Sequence, residues 1–288
     1  SLTFRIITKM KLKIITFDMD IKSYFMKKYL LLLFCIGSTL YSCKKSTKNN
    51  IKPSLVVGIV VDQMRYDYLT KYVNRYGDYG FKKLLNEGYS LTNAHFNYIG
   101  TYTAVGHASA YTGTSPNQHG VIGNNWYDKY LKKSIYCVDD TTYSSVGTNS
   151  NSGEKSPKRM VTTTITDQVR LGQNMRGKSI GIAIKDRSSI LPAGHTATGA
   201  YWYEGKDENK WITSSYYMDE LPTWVKDFNS NNKVDDYLSK PWKTLYPIDS
   251  YTQSLIDNNP YEGTFIGETS PTFPHNLPIL REKNGNYD

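Results

Sequence analysis

At 288 residues, 39% of them hydrophobic and 14% aromatic, the chain can bury a substantial core, which excludes a disordered tail. The formal charge of +9 does not mark a nucleic-acid binder, because residues 1–43 supply +5 of it and no long Lys/Arg run follows. The three cysteines, Cys35, Cys43 and Cys137, form no CxxC and no Cys/His cluster, which excludes a disulfide framework and a cysteine-built metal site.

Residues 1–25 precede a natural start at Met26 and are read as a translated leader or the product of a misplaced start codon, outside the fold. Residues 26–43 open on Met26-Lys27-Lys28, continue through the apolar run 30–37 (LLLLFCIG) and end on Leu40-Tyr41-Ser42-Cys43. The run is shorter than the ~20 residues a membrane-spanning helix needs, and it fits a secretory signal. Its end resembles a bacterial lipobox with Cys43 as the lipidated residue. A polar linker, 44–53, follows, and the folded part spans 54–288. The expected location is therefore exported, either periplasmic or anchored at the outer membrane as a lipoprotein. Contact with a membrane is expected only through the signal or the lipid.

Residues 55–61 (LVVGIVV) read as a strand buried on both faces of a parallel sheet, ending in Asp62. Residues 65–88 carry helical spacing, closed by Gly88, and residues 89–98 read as extended. A helix of small residues is expected over 104–111, stopped at Thr112-Gly113. Another is expected over 162–171, feeding a second buried strand at 179–184. Residues 201–203 and 211–214 suggest a short hairpin, and residues 200–250 lid or cap material. There is no internal repeat, and the alternation of strands and helices argues for one α/β domain.

In open α/β sheets ligands sit at the C-terminal ends of strands, which is where Asp62 and the Lys185/Arg187 pair fall, while Thr103 sits at a turn opening a helix. Taken singly these residues are ordinary: a cap, an N-cap and two surface charges. Their spacing says more. Thr101-Tyr102-Thr103-Ala104-Val105-Gly106-His107 is preceded by Val60-Val61-Asp62-Gln63-Met64-Arg65. It is followed by Tyr111-Thr112-Gly113, Pro116, His119-Gly120 and Gly123-Asn124-Asn125-Trp126. Further on come Lys185-Asp186-Arg187, Leu191-Pro192-Ala193-Gly194-His195 and Gly199-Ala200-Tyr201-Trp202.

This ordered set resembles the Thr-dependent, phosphate-irrepressible alkaline phosphatases of flavobacteria and their relatives, in the alkaline phosphatase superfamily. The resemblance runs from about residue 54 to the end. It implies a doubly wound, mostly parallel sheet and a zinc-dependent phosphate-monoester hydrolase working through a phospho-threonine on Thr103. Two Zn²⁺ ions are implied, with Asp62 and Thr103 among their ligands. Asn124, Lys185 and Arg187 would hold the phosphoryl group, and backbone N–H groups of the helix after Thr103 would face it. Two cations at one phosphoryl group suit a dianionic monoester better than a diester. Asp186 either orients those cations or is solvated. His107, His119, His195 and His275 read as structural. The partners implied are small phosphate monoesters, with no nucleic acid, and the protein is expected as a monomer.

The resemblance is incomplete. The family's Asp-x-x-x-His element, its Asp-His pair and a further His do not occur here. In the family they come later than position 288, so the resemblance implies a domain incomplete at its C-terminus, inactive or weakly active by itself. Two alternatives stay open: a phosphodiesterase or nucleotide pyrophosphatase of the same superfamily, and a non-catalytic truncated surface module.

Overall fold

The computed structural model describes residues 53–206 and 208–284. The expected leader, signal, lipobox and nearly all of the linker lie outside the described residues. The chain divides into two units, Ser1–Gly58 and Ile59–Asp288. Of the first, only residues 53–58 are described, and they carry neither helix nor strand.

The expected buried strand at 55–61 is not formed. Its branched residues are exposed, from 44% at Val60 to 78% at Leu55. A strand buried on both faces needs a hydrogen-bonded neighbour on each side, and among the described residues none pairs with this run.

The helical stretch expected over 65–88 is interrupted. Helix α1 (Tyr68–Lys71) is followed by a 3₁₀ turn (Val73–Arg75), and helix α2 (Phe81–Glu87) begins only after Gly80, whose φ is 68°. Gly88 closes α2 as expected, its N–H bonded to Leu84 O at 2.9 Å. Residues 89–98 form turns and bends rather than a strand.

Helix α3 (Thr103–Thr112) matches the expected small-residue helix. It ends at left-handed Gly113 (φ 66°), a conformation that costs a side-chain-bearing residue about 1 kcal/mol or more. Helix α4 (Pro116–His119) follows, and then an antiparallel hairpin of β1 (Asn125–Asp128) and β2 (Lys133–Tyr136). Its register pairs Asn125 with Tyr136, and Asp128 Oδ1 closes the turn by accepting the N–H groups of Tyr130 and Leu131.

Beyond β3 (Ser145–Val146) comes α5 (Ile165–Gly172), opened by a reciprocal capping box between Thr164 and Asp167. Strand β4 (Ile180–Ile182), helix α6 (Asp186–Ala193) and strand β5 (Gly199–Glu204) form a βαβ unit in which β4 and β5 run parallel. Strand β6 (Lys210–Ser214) turns back on β5 in the expected hairpin, giving a sheet ordered β3-β6-β5-β4. Helices α7 (Thr223–Ser230), α8 (Lys233–Leu238) and α9 (Leu277–Asn284) complete the described chain. The α/β class read from the sequence is the class observed.

Strand β4 is shorter and more open than the run 179–184 suggested. Ile180, Ile182 and Ile184 alternate along the chain, share one face and are each about half exposed, since among the described residues nothing fully covers that face. Only its inner face is covered, and there α6 comes so close that a Cβ on Gly181 would meet the Ser189 carbonyl and the Ala193 methyl. The main core joins Ala104 and Ala108 of α3, Val121, Cys137, Val138 and Met160 to Ile190, Leu191 and Ala193 of α6. Ala200, Trp202 and Ile212 of the sheet complete it. Each large aliphatic side chain fully buried here contributes ~1.5–3 kcal/mol. Among the described residues no helix is long and apolar enough to cross a membrane.

Below this core lies a buried charge. Asp167 is fully buried, and its carboxylate accepts from Thr164 N (2.9 Å) and Thr196 N (2.7 Å) and faces His195 Nδ1 at 3.5 Å. Burial alone would raise its pKa, but the bonds from His195, Thr164 and Thr196 outweigh it and hold the carboxyl well below its usual range. His195 is raised in turn by Asp167, against burial, and its Nε2 donates to Met160 O at 2.7 Å. A depressed carboxylate stabilises the fold above its unfolded pKa of ~3.9 and loses that contribution as pH falls; a raised imidazolium stabilises below ~6.5 and loses it as pH rises through its folded value. Asp167→Asn should therefore cost most between about pH 4 and 6.5, on the order of 3 kcal/mol, and flatten the stability profile on both flanks. Urea unfolding across about pH 3–9 checks this; an unchanged profile shape would refute it.

Candidate active site

Thr103 is the first residue of α3, and its Oγ1 donates to Asp62 Oδ2 at 3.1 Å. The other oxygen of Asp62 accepts the N–H of Gln63 at 3.0 Å, and Gln63 has a φ of 58°, rare for a residue with a side chain. A tight, strained turn thus aims the carboxylate at the start of the helix. Asp62 is exposed and Thr103 half-buried, so the hydroxyl stands at the surface with its proton directed to a carboxylate.

One residue on, Ala104 N–H donates to Asn124 Oδ1 at 2.9 Å. Because the side-chain oxygen is the acceptor, the amide nitrogen of Asn124 is the group left to donate outward. This alters the expectation for the helix N-terminus. At least one of its backbone donors is already used by Asn124, so phosphoryl contacts would come from the Asn124 amide instead of Ala104 N–H.

Lys185 directly precedes α6 and is exposed, while Asp186 and Arg187 form that helix's first turn and are half-buried. Arg187 is not hydrogen-bonded to Thr103; it joins the site through Tyr136, whose hydroxyl accepts from Arg187 Nη1 at 2.9 Å and donates to Asp186 Oδ1 at 2.5 Å. Asp186 is accordingly an orienting group. Burial first, and then the negative charge of Asp186, push the Tyr136 hydroxyl far above its ordinary pKa, so it stays protonated. Burial works against the Arg187 cation, but its contacts with Tyr136 and Asp186 outweigh that and raise its pKa. The neighbouring Cys137 thiol is pushed up to about 12, by burial and then by Asp186, and is inert at neutral pH.

One hairpin links the two halves. Cys137 N–H donates to the backbone oxygen of Asn124 at 2.9 Å, so Asn124 and Tyr136 flank the same β1/β2 closure. The structure therefore connects Asp62, Thr103, Asn124 and Arg187 through a continuous series of contacts. Tyr136 was not legible beforehand: one tyrosine among 25, in a strand without a motif, gives no signal.

The histidines are engaged within the fold. His107 Nδ1 meets Thr103 O at 2.7 Å. His119, whose pKa is lowered by burial, accepts Val121 N–H at Nδ1 (3.1 Å) and so donates from Nε2 to Ser109 Oγ at 2.9 Å. His275 Nδ1 meets the Glu268 carboxylate at 2.9 Å. A shallow cavity of about 290 Å³ between residues 95–98 and the end of α3 includes none of the expected site residues.

A four-coordinate zinc site needs more than this chain brings together. Asp62 and Thr103 supply two oxygens, and among the described residues no group of three or more His, Cys, Asp or Glu converges. These residues do not by themselves fit the two zinc ions that the sequence resemblance implies.

The chain belongs to the type I phosphodiesterase / nucleotide pyrophosphatase family, whose model matches residues 56–269. It is 52% identical over 234 residues to a Myroides odoratus protein named a calcium-transporting ATPase, covering 81% of this chain and 42% of that one. It is 49% identical over 250 residues to the alkaline phosphatase PafA of Elizabethkingia meningoseptica, covering 86% and 45%. The crystal structure of wild-type PafA superposes with a TM-score of 0.78 at 50% identity, over 80% of this chain and 45% of that one. The chain thus spans about half the length of the curated relatives it matches.

The Asn124–Ala104 bond makes a separable prediction. Asn124→Ala removes both the cap and the outward amide and should cost about 1 kcal/mol of stability. Asn124→Asp keeps the accepting oxygen and should leave the thermal midpoint nearly unchanged while deleting the donor. Equal midpoint losses in the two variants would show that the cap is not what Asn124 provides.

Proposed function

We propose that the protein carrying this sequence is a phosphate-monoester hydrolase in which the Thr103 hydroxyl is the nucleophile. The observation that carries the reading is the Thr103–Asp62 hydrogen bond at the head of α3, with the Asn124 amide one residue away. Thr103 Oγ1 would attack phosphorus as the bond from phosphorus to the leaving oxygen breaks. The hydroxyl proton would pass toward Asp62, and the leaving oxygen would take a proton from water. Water would then attack phosphorus as the Oγ1–P bond breaks; Asp62 would return its proton to Oγ1, and the proton shed by the attacking water would neutralise the hydroxide left by the first step, releasing phosphate. Asn124, Lys185 and Arg187 would bear the charge spread over the three remaining oxygens.

Zinc dependence belongs in this reading to a protein that brings further ligands to Asp62 and Thr103, and no step above relies on it. Acid quenching during turnover of p-nitrophenyl phosphate, followed by mass spectrometry, should find a phosphoryl group on Thr103. Thr103→Ala should abolish that group and lower kcat/KM by ~10⁴-fold, and a chelator should suppress turnover. Hydrolysis that survives in Thr103→Ala would end the proposal.

A second reading is favoured by the name of the matched family, which points to diesters and pyrophosphates. Lys185 separates the two. A second cation benefits a dianionic monoester most, so Lys185→Ala should cost about 10²-fold on the monoester and little on bis-p-nitrophenyl phosphate. The reverse ranking would favour the diesterase.

Export with lipidation at Cys43 is proposed alongside, on the sequence pattern of residues 26–43. Cells expressing the protein should incorporate labelled palmitate into it, and Cys43→Ala should lose the label; equal labelling of both forms argues against the anchor.

A further inference from the structure

Arg187 is held by a side chain to which the reaction above gives no role. Its Nη1 donates to the Tyr136 hydroxyl, and that hydroxyl donates onward to Asp186 Oδ1. The same carboxylate oxygen accepts Arg187's own backbone N–H at 2.6 Å. The tyrosine ring adds a weaker attraction, with the guanidinium carbon 6.0 Å from its centroid. Arg187 Nε, by contrast, is buried with no hydrogen-bond partner among the described residues. A buried donor without a partner is costly and uncommon, so its presence calls for an explanation. Pinning Nη1 leaves the Nε edge of the planar fork as the side that can meet two oxygens.

We propose that Tyr136 is a positioning residue: its hydroxyl, anchored on Asp186, turns Arg187 so that the Nε edge faces the phosphoryl oxygens of a phosphate monoester. This rests on the phosphatase reading above. The phenol suits the task because it both donates and accepts. It stands between a carboxylate and a guanidinium on adjacent residues, and among the described residues those two side chains form no direct ion pair. Without the hydroxyl, Asp186 would compete for Arg187 itself and draw the fork away from the ligand. Tyr136 is also tied to the other half of the site, since the next residue, Cys137, donates to the backbone of Asn124. One hairpin thereby sets the Asn124 amide and the Arg187 fork together.

The test uses Tyr136→Phe, which keeps the ring and removes only the oxygen, in the natural protein carrying this sequence. Two readouts are taken: the Arg187 Nε–H resonance, assigned by its loss in Arg187→Ala, and kcat/KM for p-nitrophenyl phosphate. The expected result is a shifted or broadened Arg187 resonance and a loss of about tenfold in kcat/KM. That loss should disappear when Tyr136→Phe is made in an Arg187→Ala background. Asp186→Ala, which removes the anchor and leaves the phenol, should produce the same resonance change and the same non-additivity, and it decides the matter should Tyr136→Phe fail to fold.

An unchanged Arg187 resonance, or an equal loss in both backgrounds, overturns the positioning role. A changed resonance with Arg187→Ala fully active would leave the tether standing. It would overturn instead the reading of Arg187 as a phosphoryl clamp, and with it the catalytic use of Tyr136.

Discussion

The close approach of α3 to α6 is the constraint on which the site depends. Both helices feed one core, to which α3 contributes the small residues Ala104 and Ala108, neither of them exposed. Such residues bring helix backbones close with little side-chain entropy lost. Helix α6 is in turn held down on β4 by Gly181, where a side chain would not fit. The functional groups stand at the first turns of these two helices, and the β1/β2 hairpin caps one at Ala104 and grips the other at Asp186 and Arg187. Both first turns therefore lie within the span of one short hairpin, and a shift of either helix would be felt at both.

The electrostatic design follows from partial burial. An exposed Lys185 keeps much of its hydration, whereas the charge of a half-buried Arg187 must be compensated. Direct pairing with Asp186 would compensate it and also consume it. The interposed phenol satisfies Asp186 and one guanidinium nitrogen while leaving Nε unmatched. An unmatched buried donor costs ~1–3 kcal/mol, which an incoming phosphoryl oxygen would recover on binding. The strained Gln63 beside Asp62 is a second local cost at the same site, and such costs cluster where geometry serves chemistry.

Local features were legible in the sequence and long-range ones were not. Small residues ending on Thr112-Gly113 announced α3, and the β5/β6 hairpin followed from its aromatic runs. Each rests on chemistry within a few residues. The runs 55–61 and 179–184 failed as buried strands because apolarity shows that a segment can be buried, not that a neighbour covers it. Asn124 and Arg187 stood out only through the ordered motifs that carry the family resemblance. What holds them, a backbone N–H 20 residues away and a tyrosine 51 residues away, leaves no periodic trace.

The two proposed readings differ in the charge carried by the phosphoryl group. A diester presents two non-bridging oxygens that share one negative charge; a monoester presents three that share two. The first needs one well-placed fork and a neutral donor. Arg187 and the Asn124 amide, both held by specific bonds, would suffice for it. Lys185 is the additional group, a point charge at the head of α6 beside an already oriented arginine. A second cation at the same phosphoryl group gains most from a second negative charge on it. On the proposed phosphatase reading the arrangement is therefore better matched to the dianion, and the proposed preference for monoesters rests on Lys185 more than on any residue that the hairpin holds in place.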